Sequence, residues 1–215
     1  MSFSETRRPR IIAFSGPKTC GKDTAASILF KQNDAKTQYK KFFLKTPFAE
    51  GVKNICADVF GYSQQVMVDS ELKERPTADW PHLEPRWPMM DIANWMRDKY
   101  GSDVWVRRLD RLILHAELSQ EPYWAYVVTD WRFPEETDWL QKMGALKIYI
   151  ERPEAEAKLE AAKAAGDAKA LNPSEAHYAS TKEAADLIIR NDAAIHNLQN
   201  NVLMEVRSRY GFWSS

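Results

Sequence analysis

Ile11-Ile12-Ala13-Phe14-Ser15-Gly16-Pro17-Lys18-Thr19-Cys20-Gly21-Lys22-Asp23-Thr24 is the stretch that decides how this chain is read. Its first five residues carry no charge and are mostly large and apolar, which predicts a strand buried on both faces. From Lys22 to about residue 32 the spacing turns helical, so the strand passes through a short loop into a helix. Two glycines let the loop backbone turn its N–H groups inward, a geometry that captures phosphate oxygens. The helix N-terminus adds the positive end of its dipole, and Lys22 adds a full charge with the reach to touch the outer phosphates of a nucleotide. Gly16, Lys18, Thr19, Cys20, Gly21, Lys22, Asp23 and Thr24 are therefore candidate ATP-binding residues, with Lys22 also a candidate catalytic group. One slot is unusual. Loops of this kind place Ser or Thr directly after the lysine to touch Mg2+, and here Asp23 stands there with Thr24 next. The spacing leaves open which of the two serves the metal.

Outward from this stretch, four more short apolar runs predict strands, at 41–44, 126–129, 146–150 and 187–190. Helical spacing falls between them, at 47–60, 88–99, 103–118, 135–143 and 193–209, with Pro47, Pro88 and Pro134 suited to first helical turns. Strands alternating with helices predict an α/β fold of three layers, a mostly parallel five-stranded sheet flanked by helices. Residues 154–171 are rich in Ala, Glu and Lys with few large apolar side chains, the pattern of an exposed helix or a lid that detaches at low cost. The expected organisation is one domain over 1–215. Its core covers about 10–150 and 184–210, an acceptor-binding insertion about 62–100, and a helical lid about 152–183.

Lys plus Arg and Asp plus Glu each number 30 in 215 residues, so net charge is zero. That argues against a protein that grips long nucleic acid by charge alone. The only two cysteines, Cys20 and Cys56, lack metal-ligand spacing and read as reduced thiols. With no signal-like leader and no apolar run long enough to span a bilayer, a cytoplasmic protein without membrane partners is expected, in the host cytoplasm if phage-encoded. A homodimer is compatible with the sequence.

A phosphotransferase needs a second set of cations to hold its acceptor, and Arg86, Arg97, Arg107, Arg108 and Arg132 are the candidates. Arg132 stands out because it lies just past the C-terminal end of a predicted strand, where open α/β sheets bind ligands. Asp130 sits at the same edge, as a turn cap or as an acidic anchor for Mg2+-bound water or the acceptor. Arg152 follows the strand at 146–150 and is placed to reach the nucleotide phosphates; Asn191 follows the last strand. Trp105 and Trp139 sit in helical patterns and read as core, whereas Trp80 and Trp87 lie in a proline-rich stretch, where either ring can stack on a base or pack on the body.

Three segments add a resemblance. Gly21-Lys22-Asp23-Thr24, Thr129-Asp130-Trp131-Arg132-Phe133-Pro134-Glu135-Glu136 and Arg97-Asp98-Lys99-Tyr100-Gly101-Ser102-Asp103-Val104-Trp105-Val106-Arg107-Arg108 are similar to motifs of the phage deoxynucleoside monophosphate kinases. Pro47-Phe48-Ala49 with Lys53 resembles a further region of that family. The resemblance spans about 10–192. It implies a P-loop kinase using ATP and Mg2+, with Lys22, Asp130 and Arg132 catalytic and Asp23, Thr24 and Asp130 near the metal. It further implies ATP contacts from Arg152 and Asn191, and acceptor contacts from Phe48, Lys53, Arg86, Trp87, Arg97, Trp105, Arg108, Arg132 and Glu136. The implied acceptor is a deoxynucleoside monophosphate. Two departures bear on it: Ile92-Ala93-Asn94-Trp95 replaces the family's Leu-Gly-Thr-Glu, and Ser174-Glu175-Ala176-His177 stands where the family carries His-x-Ser-Glu. A kinase acting on a hydroxymethylated pyrimidine within DNA, a dephospho-coenzyme A kinase and a nucleotide-binding module without transfer remain as alternatives.

Overall fold

The computed structural model describes residues 8–34, 42–119, 123–192 and 194–211. In chain order its elements are β1 (Ile11–Ser15), α1 (Lys22–Phe30), β2 (Phe43–Lys45), α2 (Glu50–Phe60), α3 (Gln64–Val68), α4 (Arg86–Tyr100), α5 (Val104–Glu117) and β3 (Ala125–Val128). Then come α6 (Pro134–Lys142), β4 (Leu146–Glu151), α7 (Pro153–Ala164), α8 (Pro173–Ala176), α9 (Tyr178–Glu183), β5 (Leu187–Arg190) and α10 (Ile195–Tyr210). The contacts divide the chain into two compact units, one made of 1–47 and 110–215, the other of Phe48–Leu109.

The first unit is built on a five-stranded sheet in the order β2-β3-β1-β4-β5. Every pairing is parallel. β1 is central, with Ile12 level with Val127 of β3 and with Leu146 of β4. All five of its residues are buried, because side chains alternate between two covered faces. Ile12 and Phe14 point into a cluster with Ala25, Ala26 and Leu29 of α1 and Leu198, Val202 and Val206 of α10. Ile11 and Ala13, on the opposite face, have no exposure either. This is the three-layer α/β arrangement expected from the alternation of strands and helices.

Boundaries shift by a few residues from the sequence reading. β2 begins at Phe43, and the Lys41 expected to open it lies outside the described residues. Pro47 is not in the first turn of α2, which starts at Glu50 after Ala49 at its N-cap. Pro134 opens α6 as expected, and Pro88 is the third residue of α4, still in the first turn, where no N–H donor is needed. The alanine-rich stretch is helical only to Ala164. Residues 172–183 then form α8 and α9, with Asn172, Glu175 and Thr181 buried.

The second unit contains α2, α3, α4 and the first residues of α5. α2 packs on α4. Trp105 is buried and donates its indole N–H to Ala93 O at 3.3 Å. Trp80 keeps 39% of its surface exposed, sits edge-on to Phe60 and donates its indole N–H to Phe60 O at 2.8 Å.

Candidate functional site: a phosphate-binding loop and its cations

The loop from Gly16 to Gly21 leaves β1 at the C-terminal edge of the central strand and caps α1. Gly16 has φ +134° and Gly21 φ +100°, both in the region that side chains avoid. A Cβ at Gly16 would lie 2.6 Å from Ile150 O and 2.7 Å from Cys20 Sγ. One at Gly21 would lie 2.6 Å from Asn191 Nδ2. Both positions thus need glycine twice over, for the turn and for the space. Thr19 is also left-handed, at φ +67°, with its hydroxyl donating to Lys18 O at 2.6 Å. A β-branched residue there is strained, the kind of backbone that persists at functional loops.

Lys22, the first residue of α1, folds its side chain back under the loop. Its ammonium donates to Gly16 O at 2.7 Å and Pro17 O at 2.8 Å. It is 8% exposed, and burial pushes its pKa below the ordinary lysine value. Cys20 is buried beside it, and its thiol is pushed up by burial. Asn191 donates its amide N–H to Cys20 O at 2.8 Å, so it braces the loop from the end of β5. Arg152, at the N-cap of α7, donates to Thr19 O at 3.3 Å.

The turn after β3 lies beside this loop because β3 and β1 are neighbours. Trp131 N–H donates to Phe14 O at 3.2 Å, tying 130–132 to the end of β1. Glu136, 2% exposed, accepts the backbone N–H groups of Arg132 at 2.7 Å and Phe133 at 3.0 Å. It thereby satisfies donors at the start of α6 that the helix cannot. The Arg132 guanidinium donates to Ser174 O at 3.0 Å and to the Glu175 carboxylate. Burial would lower the Arg132 pKa, but the charge and hydrogen bond of Glu175, with Asp130 and Glu136 beyond, raise it. The charges of Arg132 and Glu175 both reach Lys22. Glu175 was not among the candidates. No local pattern in the sequence marks it, because its partner lies 43 residues away.

Asp23 points outward from α1, 72% exposed at its side chain, with Lys45 Nζ at 2.8 Å. Asp23, Thr24 and Asp130 offer the carboxylate and hydroxyl oxygens that Mg2+ prefers, so the donor set fits that ion. Among the described residues, no three His, Cys, Asp or Glu gather into a metal site of their own.

Of the acceptor candidates, Phe48, Lys53, Arg86, Trp87, Arg97, Trp105 and Arg108 all fall in the second unit. Arg86 pairs with Glu74 at 2.9 Å. Arg108 leaves Nη1 buried without a hydrogen bond, a costly state for a guanidinium and one that an incoming anion would relieve. Gly51 in α2 makes room for it: a Cβ there would lie 2.7 Å from Arg108 Cδ and 2.8 Å from Trp105 Cζ3. Gly51→Ala is therefore expected to cost about 1–3 kcal/mol of stability by overpacking. Calorimetric melting of the variant beside the wild type checks the loss.

No family profile matches the chain. A protein of Acanthamoeba polyphaga mimivirus, provisionally named a deoxynucleotide monophosphate kinase, is 26% identical over 151 residues, 66% of this chain and 74% of its own length. A Thermus thermophilus crystal structure superposes with a TM-score of 0.52 at 17% identity, covering 95% of this chain and 99% of the other, which supports the fold. Together, the parallel sheet and the glycine-shaped loop over Lys22 are those of a P-loop kinase-like fold, and across 66% of its length the chain is similar to the viral protein.

Proposed function

We propose that the protein transfers the γ-phosphate of ATP to a deoxynucleoside monophosphate, giving the diphosphate and ADP. The observation that best supports this is the presence of two cations at one glycine-shaped loop, Lys22 buried and Arg132 half-buried. A loop that only stores nucleotide has no need of the second. Transfer does, because the phosphoryl group must be held and neutralised while it moves between two oxygens.

In this reading the loop amides and Lys22 hold the β- and γ-phosphates, and Arg152, which already reaches Thr19 O, extends over the same phosphates. Arg132 stabilises the equatorial oxygens of the group in flight. An anionic oxygen of the acceptor phosphate forms the new P–O bond as the bond to the β-phosphate oxygen breaks, and the electron pair leaves on ADP. Because that oxygen is already ionised, no general base is required. Asp23, Thr24 and Asp130 are the side chains that would hold Mg2+, directly or through water, and the ion bound with ATP would supply further neutralisation of phosphate charge. Acceptor recognition falls to Lys53, Arg86, Arg97 and Arg108 for the phosphate and to Phe48, Trp87 and Trp105 for the base. The name of the viral relative favours a deoxynucleotide.

The test is to incubate the protein with γ-labelled ATP and Mg2+ against a panel of deoxy- and ribonucleoside monophosphates, and separately against DNA containing hydroxymethylpyrimidines. Label in a deoxynucleoside diphosphate is the expected result. Label in the polymer would assign a different acceptor, and ATP binding without label anywhere would overturn transfer itself.

A further inference from the structure

Arg132 and Glu175 are 43 residues apart in sequence and meet as an ion pair, the guanidinium 23% and the carboxylate 10% exposed at their side chains. Such a pair is a poor device for stability alone, since apolar replacements of similar volume often hold a fold as well or better. This one is also incomplete. Glu175 Oε2 is buried and takes no hydrogen bond, so half of the carboxylate is desolvated without return. The segment that carries it is tied down twice more. Ser174 O accepts from the same guanidinium at 3.0 Å, and the hydroxyl of Thr181, 1% exposed, lies 2.7 Å from Ser15 Oγ, directly before Gly16. α8 and α9 thus touch both the base of the phosphate loop and the arginine beside it.

We propose that Glu175 is a positioning residue, which together with Ser174 O fixes the Arg132 guanidinium beside the phosphate loop before substrate arrives. A free arginine side chain has many rotamers, and ordering it during transfer would raise the barrier; a guanidinium already held costs nothing further to place. The carboxylate also sets a negative charge against one of the two positive charges packed at the loop. The role rests on the phosphotransfer reading given above, while the arginine's immobility can be observed without turnover.

The experiment has two arms. In the first, the Arg132 side-chain N–H signal, identified by its disappearance in Arg132→Lys, is followed by NMR in the wild type and in the near-isosteric Glu175→Gln. An ordered guanidinium in the wild type and a mobile one in the variant are expected; equal mobility would overturn the assignment. In the second, with the acceptor that the wild type uses, Glu175→Gln should lower kcat about 10- to 100-fold with KM for ATP changed less than about three-fold. Glu175→Ala should cost nothing more once Arg132→Ala is present, and that double variant leaves no unpaired buried charge. An undiminished kcat in Glu175→Gln, or an additive loss in the double variant, would sink the proposal. A wild type that transfers nothing would instead remove the phosphotransfer reading and leave the NMR arm to decide.

Discussion

Lys22→Ala is expected to lower kcat by about 1,000-fold or more while the protein stays folded. The ammonium is the only described side-chain cation seated under the loop, with its hydrogen bonds given to Gly16 O and Pro17 O. Phosphate oxygens must draw it away from those carbonyls, so its attraction grows as charge gathers on the transferred group. That makes it a contributor to the transition state more than to ground-state binding, and the loss should fall on kcat more heavily than on KM. Stability should hardly suffer, because removing the side chain also removes the cost of burying its charge. Circular dichroism and a melting curve check the fold, and the labelled-ATP assay checks the rate. Substantial transfer by the variant would contradict the mechanism.

The same burial sets a pH dependence. Burial, the largest influence, and the nearby Arg132 lower the Lys22 pKa, with Cys20 and Glu175 opposing, and the net direction is below 10.5. Between that lowered value and 10.5 the folded state binds fewer protons than the unfolded chain, so this group makes stability rise with pH across that window and has a constant effect below it. Phosphate binding demands the charged form. The alkaline limb of kcat/KM for ATP should therefore begin below the usual lysine pKa, as a rate profile from pH 7 to 10.5 would show. A limb at or above 10.5 would mean that Lys22 is not the group sensing the phosphates.

Much of the unit that carries this loop was legible, because its elements are set by burial. β1 and β4 are largely covered on both faces and read as mostly apolar runs, β4 interrupted by Lys147, and α1 and α10 close one face with Leu29, Leu198, Val202 and Val206. The loop was legible for a different reason: its glycines and lysine are adjacent in sequence, so the spacing is the geometry. Contacts between distant residues leave no such trace. Asn191 bracing Cys20 O crosses 171 residues, and Arg132 to Glu175 crosses 43. Neither can be read from local pattern. α8 and α9 escaped because they are only four and six residues long and carry Ser, Thr, Glu and Lys. They are held by tertiary contacts at Glu175 and Thr181, which override weak local preference. Glu136 was read as an acceptor contact, and the structure places it under the N–H groups of Arg132 and Phe133, where it orders the turn that presents Arg132.

Gly16→Ala is expected to lower ATP affinity at least about 100-fold, and to do so through geometry without removing any charge. At φ +134° an L-residue is strained whatever surrounds it, and here the new methyl would also overlap Ile150 O, a backbone atom locked in β4, and Cys20 Sγ. Strain of about 1–2 kcal/mol and overpacking of about 1–3 kcal/mol combine to about 2–5 kcal/mol. The loop can escape that cost only by swinging Gly16 away from β4. Doing so withdraws Gly16 O from Lys22 and turns the inward-facing amides off the phosphates. Gly166→Ala supplies the contrast, for it also has positive φ, +76°, yet nothing lies within 4 Å of its added methyl. That variant should lose only the conformational part, about 1–2 kcal/mol, and bind ATP as the wild type does. Titration calorimetry and melting curves on the two variants separate steric from conformational cost. If Gly16→Ala bound ATP normally, the amides between residues 16 and 22 could not be what holds the triphosphate.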